Sequence, residues 1–195
     1  MFRNLVTATL LFVLATPAWA DFQKGWSAYY RGDYATALNE LRPVAAGGHP
    51  AAQVNLGIMY EEGQGVQQNL AEALRWYRQA ALGGYAKGQL RLGTLYQAGK
   101  GVPQDTAEAI KWYRMAAGRR DTEAMMILGK VYRDGRGLPA DPVRALMWYH
   151  LAVAYLPEGR FRNGVVAERD ALAATLTETQ RTEARHLARN WKPTT

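Results

Sequence analysis

Ser27, the chain's single serine, and the three histidines His49, His150 and His186 are the residues from which a nucleophile and its base could be assembled. Acyl transfer needs the hydroxyl within hydrogen-bond reach of an imidazole that is itself oriented by a carboxylate. Here the four residues fall in different segments, and no strand-turn-helix elbow surrounds Ser27. For a metal, neither a His-x3-His pair nor a clustered carboxylate loop is present, and the absence of cysteine removes thiolate ligands and thiol nucleophiles together. Glu61-Glu62 sets two carboxylates side by side, but successive helical residues diverge by about 100°. The positions 36 residues further on hold Gln97-Ala98 and then Arg133-Asp134, so the pair does not recur. The turns at Gly63, Gly99 and Gly135 resemble glycine-rich phosphate loops only in composition, since each follows a helical segment where such a loop follows a strand. The sequence offers no catalytic, cofactor-binding or metal-ligating set.

What these positions share is a period. Trp76-Tyr77, Trp112-Tyr113 and Trp148-Tyr149 return every 36 residues, in phase with Leu56-Gly57, Leu92-Gly93 and Leu128-Gly129. Helical spacing inside a unit of about 34–40 residues predicts an all-α solenoid of stacked helix-turn-helix repeats. Ala52, Leu56, Gly57 and Tyr60 stand at i, i+4, i+5 and i+8 of a first helix, as do Gly88, Leu92, Gly93 and Tyr96, and Ala124, Leu128, Gly129 and Tyr132. A mid-helix glycine costs about 1 kcal/mol against alanine, so its return at 57, 93 and 129 predicts two helices crossing closely there. Gly63, Gly99 and Gly135 are placed to end each first helix in a left-handed conformation.

Second helices start at the N-caps Asn69, Asp105 and Asp141, with Glu72 and Glu108 three residues on as capping-box partners. The third unit has Arg144 there and Pro142 at the first helical position instead. Ala73, Tyr77 and Ala80, with their equivalents in the later units, form the stripe that faces the neighbouring helices. The Trp-Tyr pairs are therefore core and inter-repeat contacts rather than a stacking platform for sugars or bases.

Ahead of the repeats lie Arg3, an apolar run from Leu5 to Ala15, Pro17 and the small-x-small triplet Ala18-Trp19-Ala20. This is the pattern of a cleavable export signal over residues 1–20, with the mature chain starting at Asp21. The run is shorter than the ~20 residues that span a bilayer, so no transmembrane anchor is expected. Loss of Arg3 takes the formal charge from +7 to +6. Such a charge favours anionic partners. Nucleic acid is not expected, because an exported protein seldom meets it and no basic-aromatic binding module is present. Residues 21–49 outline a degenerate, shorter amino-terminal capping repeat around the turn Arg31-Gly32-Asp33. Residues 157–195, opened by Pro157-Glu158-Gly159, carry Val166, Leu172, Leu176, Ala184, Leu187 and Trp191 as the apolar positions of carboxy-terminal capping helices.

The pattern Ala-x3-Leu-Gly-x2-Tyr-x2-Gly-x-Gly-Val-x2-Asp-x3-Ala-x2-Trp-Tyr-x2-Ala-Ala closely resembles the Sel-like repeat family, a relative of the tetratricopeptide repeats. Three full units cover residues 50–156. The resemblance implies a right-handed α-solenoid, a tetratricopeptide-like superhelix that serves as a protein-interaction scaffold, often in the bacterial envelope. The sequence departs from the pattern at Gly88 for alanine, at Asn69 for aspartate, and at Arg119-Arg120, where a glycine like Gly84 is expected. It also lacks the paired cysteines of the branch associated with penicillin binding, and that activity is not carried over.

In the related tetratricopeptide fold the first helix of each pair faces the concave side. By register, that resemblance assigns a groove to Val54, Ile58, Glu61 and Glu62, then Leu90, Thr94, Gln97 and Ala98, then Met126, Lys130, Arg133 and Asp134, graded from acidic to basic along the chain. The expected function is a non-enzymatic, exported scaffold, periplasmic or secreted, holding a protein or peptide in that groove without a cofactor. The alternative is a cell-wall or anionic-polysaccharide-binding protein, with weak hydrolytic activity, using its exposed aromatics and the basic carboxy-terminal residues Arg160, Arg162, Arg169, Arg181, Arg185, Arg189 and Lys192.

Overall fold

Helix starts and stops fall where the capping residues put them. The computed structural model describes residues 18–192, so all but the last three residues of the expected export signal lie outside it. Among the described residues there are ten helices and no strand. They are α1 (Ala18–Tyr30), α2 (Tyr34–Ala46), α3 (Pro50–Glu62), α4 (Leu70–Leu82), α5 (Ala86–Ala98), α6 (Thr106–Gly118), α7 (Thr122–Asp134), α8 (Pro142–Tyr155), α9 (Arg160–Ala174) and α10 (Glu178–Asn190). None of them is long and apolar enough to cross a membrane. Each packs on the next from α1 to α9, giving an all-α solenoid of helical repeats, while α10 turns back to pack on α8. α2 has 13 residues like α3 to α7, and residues 31–33 alone join α1 to it, where residues 63–69, 99–105 and 135–141 join the helices of the later pairs.

The caps work as the sequence predicts, with one exception. Asn69 accepts from the backbone N–H groups of Ala71 and Glu72 at 3.1 Å each, and Asp105 accepts from that of Glu108 at 2.9 Å. Neither glutamate returns the bond; Glu72 pairs with Arg75 and Glu108 with Lys111, each at 2.7 Å. A cation three residues on draws the carboxylate away from the cap, so the expected capping boxes are only half formed. Among the described residues a complete box closes only at α10, between Thr177 and Gln180. Gly63, Gly99 and Gly135 end α3, α5 and α7 at φ of 71°, 66° and 65°.

The helix crossings are set by glycine against tyrosine. Tyr77, Tyr113 and Tyr149 are completely buried. A Cβ at Gly93 would lie 2.7 Å from the Tyr113 ring, one at Gly129 3.1 Å from that of Tyr149, and one at Gly57 closer still to that of Tyr77. Burying a side chain of this size contributes about 1.5–3 kcal/mol. Gly88, the departure from alanine, has the same kind of cause: a Cβ there would lie 2.6 Å from that of Ala80 and 2.8 Å from the backbone nitrogen of Ala81. At the third departure Arg120 takes up the left-handed conformation, φ 64°, that Gly48 and Gly84 hold at the two earlier junctions with φ of 94° and 77°.

Candidate functional site

α3 packs directly on α5 as well as on α4, so these first helices share one face of the stack. The twelve residues assigned to the groove divide there into three groups.

Val54 and Leu90 do not line it. They are 6% and 4% exposed, in core clusters with Tyr77 and Tyr113 respectively, because the next unit folds over them. Their equivalent Met126 is only half buried.

The second group serves the tyrosines. The Tyr77 hydroxyl donates to Glu61 at 2.9 Å and the Tyr113 hydroxyl to Gln97 at 2.8 Å, in each case to the residue 16 positions before the tyrosine. In the third unit that residue is Arg133, which can only donate, and does so to the Tyr149 hydroxyl at 3.4 Å. Tyr149 in turn donates to Glu168 of α9 at 3.1 Å. A buried hydroxyl without a partner costs about 1–3 kcal/mol, so these first-helix side chains complete the core. Burial, then Glu61, pushes the Tyr77 hydroxyl far up from its ordinary pKa. Burial raises that of Tyr113 and takes Tyr149 up to about 12.

Ile58, Glu62, Thr94, Ala98, Met126, Lys130 and Asp134 form the third group, half-buried or exposed. Two clefts of about 490 Å³ each include some of them. One runs from Thr94 and Ala98 to Gln104 and Arg136. The other lies between Met126 and Lys130 of α7 and Arg160, Phe161 and Glu168 of α9, with Phe161 63% exposed.

The acidic-to-basic gradient is not an open field, since long-range pairing balances both ends. Glu61 has Lys100 at 3.5 Å, while Glu168 stands 3.7 Å from Lys130 and 4.0 Å from Arg133. Arg133 also binds Asp134 at 2.7 Å and holds that carboxyl below the usual carboxylate range. No local pattern in the sequence signalled Glu168 or Phe161.

A second recurrence is written in the sequence at the same period. Arg42, Arg78 and Arg114 stand 36 residues apart. They donate to the hydroxyls of Tyr60, Tyr96 and Tyr132, the first two at 3.4 Å, and tie each unit to the one after it.

The residues weighed for chemistry stay apart. No hydrogen bond joins the Ser27 hydroxyl to a histidine; His49 caps α3 and stacks on Phe22 at 4.4 Å. Burial, then Arg169 and Arg185, hold the pKa of His150 below its ordinary value. Among the described residues no three His, Cys, Asp or Glu side chains gather as metal ligands. Tyr77, Tyr113 and Tyr149 are completely buried and leave no open ring face for a sugar. Of the basic carboxy-terminal residues, Arg169 pairs with Asp170, and Arg181 and Arg185 share Glu178.

Comparison with known proteins agrees with this geometry. The Sel1 repeat family matches residues 50–85, 86–120 and 122–154. A Sel1 repeat protein from Oxalobacter formigenes superimposes with a TM-score of 0.70 at 32% identity, over 82% of this chain and 63% of that one. The protein c5321, a protective antigen of uropathogenic Escherichia coli strains with an SLR fold, gives 0.66 at 36% identity, over 71% of this chain and 30% of that one. The chain thus spans less than two thirds of either protein, and no curated protein matches it. With three matched units in one register and the packing residues of each accounted for, the chain belongs to the Sel1 repeat family.

Proposed function

We propose that this chain is an exported, non-enzymatic scaffold of the bacterial envelope that holds a protein or peptide against the inner face of α3, α5 and α7. Sel1 repeat proteins generally mediate protein–protein interaction. The observation that carries the reading here is the division of labour on the inner helices. Positions that recur between units, such as Leu56, Gly57 and their equivalents, are spent on packing. The positions left open differ from unit to unit, Ile58 and Glu62, then Thr94 and Ala98, then Lys130 and Asp134. A fixed frame with an individual inner surface is what selective recognition by a solenoid uses.

Export is supported by the three-part amino-terminal pattern, and amino-terminal sequencing of the protein recovered from the periplasm should read Asp21 first. Binding is tested by immobilising the chain from Asp21, with Ala98→Arg and Met126→Glu as groove variants and Gln79→Glu on α4 as the outer-face control. A protein retained from an envelope extract by wild type and control, and lost by both groove variants, supports the scaffold. Retention that ignores the groove variants refutes it. Lys130 and Arg133 are poor test positions, because reversing them also breaks their contacts with Glu168 of α9.

A further inference from the structure

A cleft of about 600 Å³ opens between α8 and α10, apart from the inner face. It exists because small side chains meet where larger ones would fill the crossing: Ala154 of α8 and Ala188 of α10 line it above the buried Leu151. Tyr155, 41% exposed, and the half-buried His150 stand on the α8 side. Trp148 and Trp191, with ring centres 5.6 Å apart, join the same two helices beyond it.

The charges around this apolar floor are unbalanced. Arg185 and Arg189 are the charged residues that line it, and no carboxylate does. Arg185 is shared with Glu178 at 2.7 Å. Arg189 bonds the Arg185 carbonyl, and the guanidinium of Arg120 lies 5.4 Å above the Tyr155 ring. Among the described residues neither Arg189 nor Arg120 has a carboxylate within 4.0 Å. His150 feels the same field: burial, Arg169 and Arg185 all disfavour its charged form, against Asp170 alone. Two cations without counter-ions at the rim of a dry floor are complementary to one ligand chemistry, an anionic head on an apolar tail.

We propose that the cleft between α8 and α10 is a binding site for a small anionic amphiphile, an acyl-chain carboxylate, whose tail lies over Leu151, Ala154 and Ala188 and whose head is held by Arg189 and Arg120. The probe is sodium decanoate, titrated calorimetrically into the chain from Asp21 below its micellar range, with decanol as the uncharged comparison. Saturable binding of one decanoate per chain is expected, with decanol at least about tenfold weaker. Arg189→Gln, at an exposed position, should weaken decanoate about tenfold, and Ala154→Leu, which fills the floor, should abolish binding while Gln79→Glu leaves it unchanged. Should Ala154→Leu fail to fold by circular dichroism, the decanoate-to-decanol ratio in Arg189→Gln decides in its place, and it should fall toward one. No saturable binding, equal affinity for acid and alcohol, or decanoate affinity indifferent to Arg189→Gln would overturn the proposal.

Discussion

Alanine at the repeated helix-crossing glycines tests the packing account, because the three sites differ in how much room they leave. In an open helix Gly→Ala gains about 1 kcal/mol. At Gly93 the new Cβ would stand 2.7 and 2.9 Å from two atoms of the Tyr113 ring and 3.2 Å from the Ala109 carbonyl oxygen. That ring is completely enclosed and cannot move away. Overpacking of this kind costs about 1–3 kcal/mol, and a clash with an immobile ring belongs at the upper end, so Gly93→Ala should lose about 1–2 kcal/mol net. At Gly129 the nearest atoms of Tyr149 are 3.1 to 3.2 Å away, where a shift of a few tenths of an ångström suffices. Cost and propensity then cancel to within about 1 kcal/mol. Gly57→Ala, closest to its ring, should be the worst of the three. Thermal unfolding followed by circular dichroism reads the series, with about 2–4 °C per kcal/mol for a chain of this size. Equal effects at 93 and 129, or stabilisation at 57, would refute the claim that tyrosine contact is what selects glycine.

The other predictions concern junctions, ionisation and caps. Arg120→Gly relieves a left-handed backbone that costs a side-chain-bearing residue about 1–2 kcal/mol, less the exposed contact with Tyr155, and should raise the melting temperature by a few degrees. Tyr149 keeps its proton in the folded chain up to about 12 against 10.0 ordinarily, so its contribution is complete below pH 10 and is lost as pH rises through about 12. Tyr113 shifts the same way, and urea midpoints measured against pH should fall over that window, less steeply in Tyr149→Phe. Asp105→Ala should cost about 1 kcal/mol by the same assay, while Glu108→Ala should cost no more than the few tenths of an exposed i,i+3 pair.

What could be read from the sequence was whatever repeats or acts locally. The left-handed glycines, the N-caps and the tyrosine crossings each leave a mark within one unit, and the 36-residue period multiplied that mark by three. The candidate groove was legible only as a register. Glu61, Gln97 and Arg133 differ in charge, yet all three meet the same hydroxyl, and that likeness is visible only once α4, α6 and α8 are laid against them. The pairing of Lys130 with Glu168 leaves no mark within a unit, because Glu168 lies on a helix beyond the repeats. The return of α10 onto α8 also lacks a local signal, since the apolar stripe of Ala184 and Leu187 does not say which neighbour it covers.

The hydroxyl of the last tyrosine bears on how such arrays lengthen and shorten in evolution. Units one and two each carry their own acceptor, Glu61 or Gln97, and are self-sufficient cassettes in this respect. Unit three carries an arginine and borrows its acceptor from α9. A copy of either early unit inserted before it would arrive complete, whereas a copy of unit three moved inside the array would leave behind the carboxylate its tyrosine needs. Growth by duplication is therefore open in the first two units and closed at the third, and a single position, 133, records which unit stands last.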